Sequence, residues 1–401
     1  MESFELPKIR ENEILAEVIS NSICMSSHKA VIQGADHKRV PDNVAENPVI
    51  IGHELCGNIL EVGNAYKDRF KAGSKFTIQP ALNIPGREAE APGYSFFYLG
   101  GNATKVIIPG EVMEQNCLLP CEADAYFKGS LAEPIACIFG AIKEQFHYET
   151  NQYGHKTGIK EQGNVAVLGG GGPMGLAMID ILLNMDQKPA RILLTDIDQA
   201  KLDRAEKLFC DEKNVELLFV NSGGRTAAEI LAQTGGVRFD DVFIFVPVKE
   251  LVTQAQQLMA PGGCLNFFAG PSQKNFSAEI NFYDVHYNRH HIIGSAGSNS
   301  EDLLDALRMI KKNRINPAIM ITHIGGLDSA VQTILNLPKI PGGKKLIYPQ
   351  ISLPLTALDE FEEKAKADTL FGELAQITKK NNGLWSKEAE EYLLKNAERI
   401  E

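Results

Sequence analysis

The sequence has no apolar stretch long enough to span a bilayer, and its first ten residues lack the apolar core of a signal peptide. We therefore expect a cytoplasmic protein with no membrane partner. Basic charge is also scarce, since 40 Lys and Arg stand against 51 Asp and Glu, for a formal net charge of −11. Such a chain would repel a phosphate backbone, so no nucleic-acid partner is expected. An anionic small substrate stays possible, because a pocket needs only one or two local cations.

Cysteines are few and widely spaced. There are seven, an odd number, and without an export signal they predict reduced thiols rather than a disulfide framework. Internal repeats and low-complexity segments are absent as well. At 401 residues the chain is too long for one ordinary core, which predicts two domains.

Hydrophobic periodicity divides the chain. Short alternating runs at residues 14–18, 55–62 and 105–108, separated by Gly, Pro and Asn, predict an all-β barrel or sandwich up to about Pro134. From Asn164, predicted strands alternate with predicted helices, which indicates a parallel, doubly wound sheet. The predicted strands are residues 165–168, 192–194, 217–220, 241–246 and 264–268.

The C-terminal part is predicted to be mainly helical. Residues 300–310 form a clear helix, whose Asp302 favours the positive N-terminal end. Short runs follow up to Ile347. After Pro354 the chain becomes charged, and residues 358–377 and 386–397 predict two helices of an appended tail.

A Gly-rich turn follows the first predicted strand of the parallel sheet. Gly170, Gly172 and Gly175 form a G-x-G-x-x-G pattern, which alone is weak but here has a strand before it and a helix after it. Such glycines permit a tight turn, approach of the pyrophosphate and close helix packing. Pro173 and Met174 belong to this turn, ahead of the helix predicted over residues 176–183, whose N-terminal N–H groups would face the phosphates. A glycine turn without a ligand is the simpler alternative.

An acid stands where a dinucleotide ribose would bind. Asp196 ends the next strand, about 20 residues beyond the last glycine, and a carboxylate there favours NAD(H) over NADP(H). Lys201 and Arg204 lie nearby and leave NADP(H) possible, although both also suit a solvated helix face. Val246 ends a later strand at the same carboxyl edge, where the nicotinamide is expected.

Three short segments of the N-terminal region carry metal-binding side chains. They contain Cys24, the pair His53 and Glu54, and Glu133, which precedes a proline. Spacing alone is modest support, because scattered Cys and His are more often core residues, and Glu133 also suits the first turn of a helix.

Taken in order, these residues resemble the zinc-containing medium-chain alcohol and polyol dehydrogenases, over residues 5–349. The resemblance implies a GroES-like β-barrel catalytic domain joined to a Rossmann NAD(P)-binding domain. It also implies a catalytic Zn²⁺ held by Cys24, His53 and Glu133, with a fourth position open for water or substrate. Glu54 is similar to an acid that sits behind the metal and can exchange onto it. We expect Glu133, rather than Glu54, to be the resting third ligand.

The sequence departs from that family in two places. Met25 replaces the usual glycine after the zinc cysteine, and the four close cysteines of a second, structural zinc are missing, so one zinc per chain is expected.

The predicted domains are a catalytic domain (1–135), a Rossmann domain (136–294), a return segment (295–350) and a helical extension (351–401). The family habit implies a homodimer or homotetramer.

A closer resemblance is to the sugar-phosphate branch of the family, the L-sorbose-1-phosphate reductases. It rests on residues 32–41, 79–82, 93–104 and 382–386. It implies reversible reduction of a ketose phosphate, L-sorbose 1-phosphate, to D-glucitol 6-phosphate. Another polyol or polyol phosphate, as for a sorbitol-type dehydrogenase, is the alternative.

The resemblance also implies roles near the metal. Ser26 is placed to relay a proton between the substrate oxygen and solvent, and the next relay group is His28 or Lys29. Lys29 could instead meet a substrate phosphate, as could Arg289 or His290, although a plain solvated side chain is preferred for His290.

Two other classes compete with a zinc dehydrogenase. A zinc-free quinone or enone reductase would need no ligand set, and a non-catalytic protein on a dehydrogenase scaffold would have no reason to keep Ser26 beside Cys24, His53 and Glu133.

Overall fold

The computed structural model describes residues 2–148 and 153–400. The chain forms two compact units: Met1–Ala136 with Ser298–Glu401, and Cys137–Gly297. All seven cysteines are free thiols, as the sequence predicts. Within the described ranges, no helix is both long and apolar enough to cross a membrane.

The chain up to the first unit boundary contributes five strands and the first four helices. They are β1 (Ile14–Ile23), α1 (Met25–Gln33), β2 (Glu54–Val62), β3 (Lys75–Ile78), β4 (Lys105–Ile108), α2 (Gly110–Glu114), β5 (Leu118–Pro120), α3 (Tyr126–Ser130) and α4 (Ala132–Glu144), within which the boundary falls.

The second unit alternates strands and helices along most of its length. Its elements are β6 (Phe146–Tyr148), β7 (His155–Thr157), β8 (Asn164–Leu168), α5 (Pro173–Asn184), β9 (Arg191–Asp196), α6 (Gln199–Leu208), β10 (Glu216–Asn221), α7 (Ala227–Gln233), β11 (Phe239–Ile244), α8 (Lys249–Leu258), β12 (Met259–Phe267), α9 (Phe282–Tyr287) and β13 (His291–Gly294).

The chain then returns to the first unit. The remaining elements are α10 (Ser300–Lys311), β14 (Ile321–Gly326), α11 (Leu327–Asn336), β15 (Lys344–Tyr348), β16 (Thr356–Ala357), α12 (Phe361–Lys364), α13 (Thr369–Lys380) and α14 (Lys387–Asn396).

An eight-stranded sheet forms the base of the first unit. Its order is β16-β14-β15-β1-β2-β3-β5, with β4 also paired to β1, and only β14 and β15 pair in parallel. Alternate side chains of β1, namely Ile14, Ala16 and Val18, are fully buried against one apolar core, as expected for a sheet with one face turned inward. The β-sheet predicted for this region is confirmed, although α1, α2 and α3 lie among its strands.

The second unit contains a six-stranded sheet in which every neighbouring pair is parallel. Its order, β10-β9-β8-β11-β12-β13, is that of a doubly wound dinucleotide-binding fold, in which the strand order reverses beside the first strand. Residues 165–168 of β8 are fully buried, as in parallel strands that are covered on both faces. The predicted parallel sheet is confirmed.

Several predicted boundaries are wrong; β11, for example, ends at Ile244, so that Val246 follows the strand instead of ending it. β12 begins at Met259, five residues before the predicted start at Cys264, because a register shift lets Met259 pair with Phe239. The single helix predicted over residues 358–377 is instead a 3₁₀ turn followed by α12 and α13. The break comes at Asp368, whose carboxylate accepts a hydrogen bond from Leu370 N at 2.9 Å and caps α13.

The prediction for Asp302 at the start of α10 is confirmed and extended. Asn299 Oδ1 accepts hydrogen bonds from the N–H groups of Glu301 and Asp302, while the Asp302 carboxylate accepts from Asn299 N at 3.1 Å. This reciprocal capping box satisfies donors that a helix N-terminus otherwise leaves unpaired.

A buried carboxylate fastens the helical extension to the first unit. Glu390 of α14 is 1% exposed, and its oxygens accept hydrogen bonds from Tyr126 N at 2.6 Å and Phe127 N at 2.8 Å, at the start of α3. The hydroxyl of Tyr348 donates to Glu390 at 2.9 Å, and Trp385 Nε1 donates to that hydroxyl at 2.7 Å. Burial raises the pKa of Glu390 to about 7, while these donors lower it.

Glu390→Gln is expected to destabilise the protein by about 1–3 kcal/mol, because an amide NH₂ would face a backbone donor in a buried site. Trp385, the only tryptophan, reports on this contact, so the midpoint of urea unfolding followed by its fluorescence is the measurement. Glu388→Gln, on an exposed position of the same helix, is the control and should shift stability by no more than about 0.5 kcal/mol. Equal midpoints for the two variants would contradict the role of Glu390.

Candidate functional site

Three strand ends meet at the candidate metal site. Cys24 directly follows β1 and takes the N-cap position of α1, while Glu54 opens β2 and pairs with Ser22 of β1. On the other side of β1, Ile23 pairs with Lys345 of β15. The register therefore brings the start of β15 next to Cys24, although the two segments are far apart in sequence.

Thiol, imidazole and carboxylate groups converge at this point. One ligand atom each from Cys24, His53 and Glu54 lies within 4.8 Å of the others. His53 and Glu54 are buried, at 4% and 1% exposure, and Cys24 is half-buried. This mixture of sulfur, nitrogen and oxygen donors is the set that Zn²⁺ binds in proteins.

Glu54 is held by a lysine. Lys344 Nζ donates to both carboxylate oxygens of Glu54, at 2.5 and 2.7 Å, and Lys344 is only 6% exposed. Burial alone would lower the pKa of Lys344, but Glu54 and Cys24 beside it raise the value above normal. The ion pair therefore restrains Glu54 at the edge of the ligand cluster.

Glu133, the expected third ligand, lies in the first turn of α4 and is 6% exposed. Burial raises its pKa to about 7, opposed by the charge of His53, while Glu54 and Cys24 add to the rise. The carboxylate is thus close enough to interact with all three residues of the cluster. In the described chain, however, the atoms that meet within 4.8 Å include Glu54 and not Glu133.

The charge balance of the site suits a divalent cation. Three acidic groups, Cys24, Glu54 and Glu133, surround one buried Lys344. Burial raises the pKa of Cys24, partly opposed by Lys344, and buried charges are stable only when they are paired or bind metal. Zn²⁺ would supply the missing positive charge, so the residues present fit the metal that the resemblance implies.

A hydrogen-bonded chain connects the cluster to Tyr94. Ser26 Oγ donates to Cys24 Sγ at 3.0 Å and accepts from the Tyr94 hydroxyl at 2.8 Å. His53 Nε2 lies 3.5 Å from Ser26 Oγ and 3.4 Å from the Tyr94 hydroxyl. Tyr94 is 1% exposed, and burial raises its pKa well above the usual value. Tyr94 therefore keeps its proton and acts as a donor toward Ser26.

Glycine lets the Tyr94 segment approach the metal segment. A Cβ at Gly93 would lie 2.2 Å from the carbonyl oxygen of Gly52, and Gly52 N donates to Gly93 O at 3.1 Å. Any other residue at position 93 would push Tyr94 away from His53.

The other predicted relay and phosphate residues are placed differently. His28 Nδ1 lies 2.7 Å from the carbonyl oxygen of Ile334 and so joins α1 to α11. Lys29 is half-buried on α1. Arg289 precedes β13, at the amino edge of the parallel sheet, whereas the Gly-rich loop follows β8 at the carboxyl edge. A contact of Arg289 with a substrate phosphate stays a prediction. His290 is buried, at 6% exposure, rather than solvated.

The Gly-rich loop in the second unit has the steric signature of a phosphate cradle. A Cβ at Gly175 would lie 2.0 Å from Gly170 O, which explains why α5 packs so closely on the turn. At Gly172, the N-cap of α5, a Cβ would meet no atom within 4 Å. Packing does not demand glycine there, but approach of a pyrophosphate to the backbone does. Pro173 and Met174 form the first two positions of α5.

Asp196 flanks this loop. Its carboxylate accepts hydrogen bonds from Gly171 N at 2.9 Å and Asp198 N at 3.1 Å. A Cβ at Gly171 would lie 2.8 Å from both Asp196 Oδ2 and Lys201 Cβ, so these two side chains border the loop. A Cβ at Gly169 would lie 2.4 Å from Val246 Cγ2, which places Val246 on the other side. Asp196, Lys201 and Val246 therefore all border the Gly-rich loop.

Sequence reasoning missed two residues of the metal site. Lys344 carries no local signal, because its partner lies 290 residues away. Tyr94 lies within the segment that suggested the sugar-phosphate branch, and its position beside a glycine was a usable signal that was not given a role.

Two family matches cover most of the chain. Residues 10–116 match the alcohol dehydrogenase GroES-like domain, and residues 173–312 match the zinc-binding dehydrogenase family.

Curated relatives align along nearly the whole chain. The L-sorbose 1-phosphate reductase of Klebsiella pneumoniae is 45% identical over 400 residues, covering 100% of this chain and 95% of the relative. The mannitol-1-phosphate 5-dehydrogenase of Aliivibrio fischeri is 46% identical over 402 residues, covering 98% and 94%.

The crystal structure of galactitol-1-phosphate dehydrogenase from Escherichia coli is similar in fold, with a TM-score of 0.68 at 20% identity, covering 87% of this chain and 96% of that one. Full-length identity above 40%, with both domain matches, makes this chain an oxidoreductase of the zinc-binding medium-chain dehydrogenase family, with a GroES-like domain and a Rossmann-like parallel sheet.

Proposed function

We propose that this protein catalyses the reversible reduction of L-sorbose 1-phosphate to D-glucitol 6-phosphate with NAD(H). The observation that carries the proposal is the cluster of Cys24, His53 and Glu54, with which Glu133 interacts, on a chain 45% identical to an L-sorbose 1-phosphate reductase. A second candidate is a hexitol-phosphate dehydrogenase of another specificity, because a mannitol-1-phosphate 5-dehydrogenase is 46% identical.

We assign the zinc ligands to Cys24, His53 and Glu133. Lys344 occupies both oxygens of Glu54, which favours Glu133 as the third ligand and leaves Glu54 as the acid beside the site. When bound, zinc supplies Lewis-acid polarisation of the substrate carbonyl, and the nicotinamide supplies the hydride. The side chains of Cys24, His53 and Glu133 would hold the metal, and Glu54 would keep a carboxylate beside it.

Ser26 and Tyr94 have different roles in the transfer of a proton to the substrate oxygen. Ser26 Oγ lies between the Tyr94 hydroxyl and the sulfur of Cys24, at 2.8 and 3.0 Å, so it is within reach of a substrate oxygen at the metal. Because the Tyr94 hydroxyl donates to Ser26, the Ser26 proton is directed away from Tyr94, toward the metal ligands. His28 is bonded to a backbone carbonyl, so Tyr94 is the residue that orients the Ser26 hydroxyl, while Ser26 is the group that exchanges the proton.

The proposal also covers the choice between enzyme classes, the location and the oligomeric state. A zinc-free reductase would have no use for the metal-binding side chains of the cluster. A cytoplasmic homodimer or homotetramer is proposed only because it is usual in the family.

Metal analysis of purified protein is expected to find about one Zn²⁺ per chain, since residues 2–148 and 153–400 contain one such ligand set. Cys24→Ser should lose both zinc and turnover while binding NADH normally, because the Gly-rich loop belongs to the other unit. Cys210→Ser, at an exposed thiol, is the matched control. Glu133→Gln should weaken zinc retention more than Glu54→Gln. Two tightly bound zincs, or an active Cys24→Ser enzyme, would overturn the assignment.

The substrate proposal is tested by NADH oxidation with L-sorbose 1-phosphate, fructose 6-phosphate, free L-sorbose and free fructose. We expect the highest kcat/KM for L-sorbose 1-phosphate and a preference for each phosphorylated sugar over its free form. A higher value for fructose 6-phosphate would favour the second candidate. Equal values for free and phosphorylated sugars would leave a plain polyol dehydrogenase.

The cofactor prediction rests on Asp196. Because its carboxylate would repel a 2′-phosphate, kcat/KM should be higher for NADH than for NADPH, and Asp196→Ala should narrow the ratio. Asp203→Asn, on the exposed face of α6, is the control and should leave the ratio unchanged. A wild-type preference for NADPH would instead assign the 2′-phosphate to Lys201.

A further inference from the structure

We propose that the substrate phosphate is bound by a cationic loop, defined here as His37, Lys38 and Arg39, with Arg39 as the principal contact. This inference rests on the proposed function, and it moves the phosphate site from Lys29, the first candidate by sequence, to residues that had no assigned role.

Tyr94 joins this loop to the metal site. The Arg39 guanidinium carbon lies 5.2 Å from the centre of the Tyr94 ring, and the His37 ring stacks on Tyr94 at 5.8 Å with planes 9° apart. The His53 ring lies 4.8 Å from the same ring centre. Both distances are measured from the centre of the Tyr94 ring. The Arg39 guanidinium carbon and the centre of the His53 ring are therefore separated by no more than the sum of 5.2 and 4.8 Å. A sugar phosphate is long enough to bridge such a gap.

The backbone of the loop is fixed. Ser95 Oγ donates to Arg39 O at 2.6 Å and accepts from Ala91 N at 3.0 Å. The next residue, Val40, is 7% exposed and packs in a small core with Ala30, Ala91 and Tyr94. Arg39 itself is half-buried. A rigid backbone with a partly accessible guanidinium is the arrangement that lowers the entropic cost of binding an anion.

The loop has positive charge that is not neutralised by the protein. Among residues 2–148 and 153–400, no carboxylate forms an ion pair with Arg39 or Lys38, although many other cations in this acidic chain are paired. Burial lowers the pKa of His37, and Arg39, Lys38 and Lys29 lower it further. These cations are therefore close to one another and to His37.

A phosphate dianion is the ligand that matches this arrangement. A guanidinium offers a planar fork of N–H donors that binds two phosphate oxygens at once. A carboxylate of the same size can bind the same fork, but it carries less negative charge and is therefore attracted less strongly. Lys38 is exposed and Lys29 half-buried, so both can add long-range attraction. The competing explanation is that Arg39 only stabilises Tyr94 through a cation–π contact.

The experiment compares Arg39→Met with wild type in the reduction of L-sorbose 1-phosphate and of free L-sorbose. The ratio of the two kcat/KM values is expected to fall roughly ten- to a hundredfold, mainly through KM for the phosphorylated sugar, which is the effect of one charge-assisted hydrogen-bonded contact. Arg69→Met is the matched control, because Arg69 also lies over an aromatic ring, at 5.3 Å from the centre of the Phe70 ring, while its hydrogen bonds go to Met113 and Asn116. The control should keep the wild-type ratio.

Inorganic phosphate gives a second readout that does not need turnover of the free sugar. It should inhibit competitively against L-sorbose 1-phosphate, and its inhibition constant should rise by a similar factor in Arg39→Met. Arg39→Lys, which keeps the charge but not the fork, should give an intermediate value for both measurements and serves if the Met variant does not fold.

The outcomes separate the two proposals. A wild-type enzyme without preference for phosphorylated sugars would refute the proposed function and this inference together. A wild-type preference that Arg39→Met leaves intact, or equal losses on both sugars, would refute the phosphate role of Arg39 while the proposed function stands.

Discussion

The buried ion pair between Lys344 and Glu54 is the interaction on which the metal site depends. It joins β15 to β2 in a region that also contains two other acidic groups, the buried Glu133 and the half-buried Cys24. Without the lysine, the carboxylates and the thiolate would repel one another, and removing one partner of such a pair costs about 3–5 kcal/mol. The pair also explains why the C-terminal return of the chain is part of the catalytic unit: the lysine is supplied by a strand that pairs with β1 next to Cys24.

Features that depend on local spacing could be predicted from the sequence. The Gly-rich loop, Asp196 at the end of β9, and the order of Cys24, His53 and Glu133 are set by short segments, and the structure places the first two side by side. The strand and helix pattern of the second unit followed for the same reason. Lys344 could not be predicted, because a lysine at the start of a strand is usually solvated, and only the β1–β15 register reveals its partner.

The helical extension shows the same limit at another scale. Helices were predicted from charge and periodicity, but the break at Asp368 and the burial of Glu390 were not. A glutamate in a charged helix is expected to face water, and Glu390 is buried only because the N–H groups of Tyr126 and Phe127 and the Tyr348 hydroxyl converge on it. Since Tyr348 ends β15, the extension is bonded to the strand that carries Lys344. These hydrogen bonds therefore fix the helical extension to the first unit, next to the strand that carries Lys344.

Charge is sorted within this unit in a way that suits a substrate with two different ends. The cluster of Cys24, Glu54 and Glu133 is negative apart from Lys344 and suits a metal cation, whereas the loop carrying Arg39 is positive. Arg39 lies over the ring of Tyr94, whose hydroxyl donates to Ser26. A dianionic phosphate placed near the acids would be repelled and near the loop attracted, so a sugar phosphate has one favourable orientation, with its neutral carbonyl end toward Ser26. Tyr94 belongs to both halves: its hydroxyl orients Ser26 and its ring supports Arg39 and His37. Under the proposed function, one buried side chain thus contacts both the residues that would orient the substrate and the residue that would carry the proton.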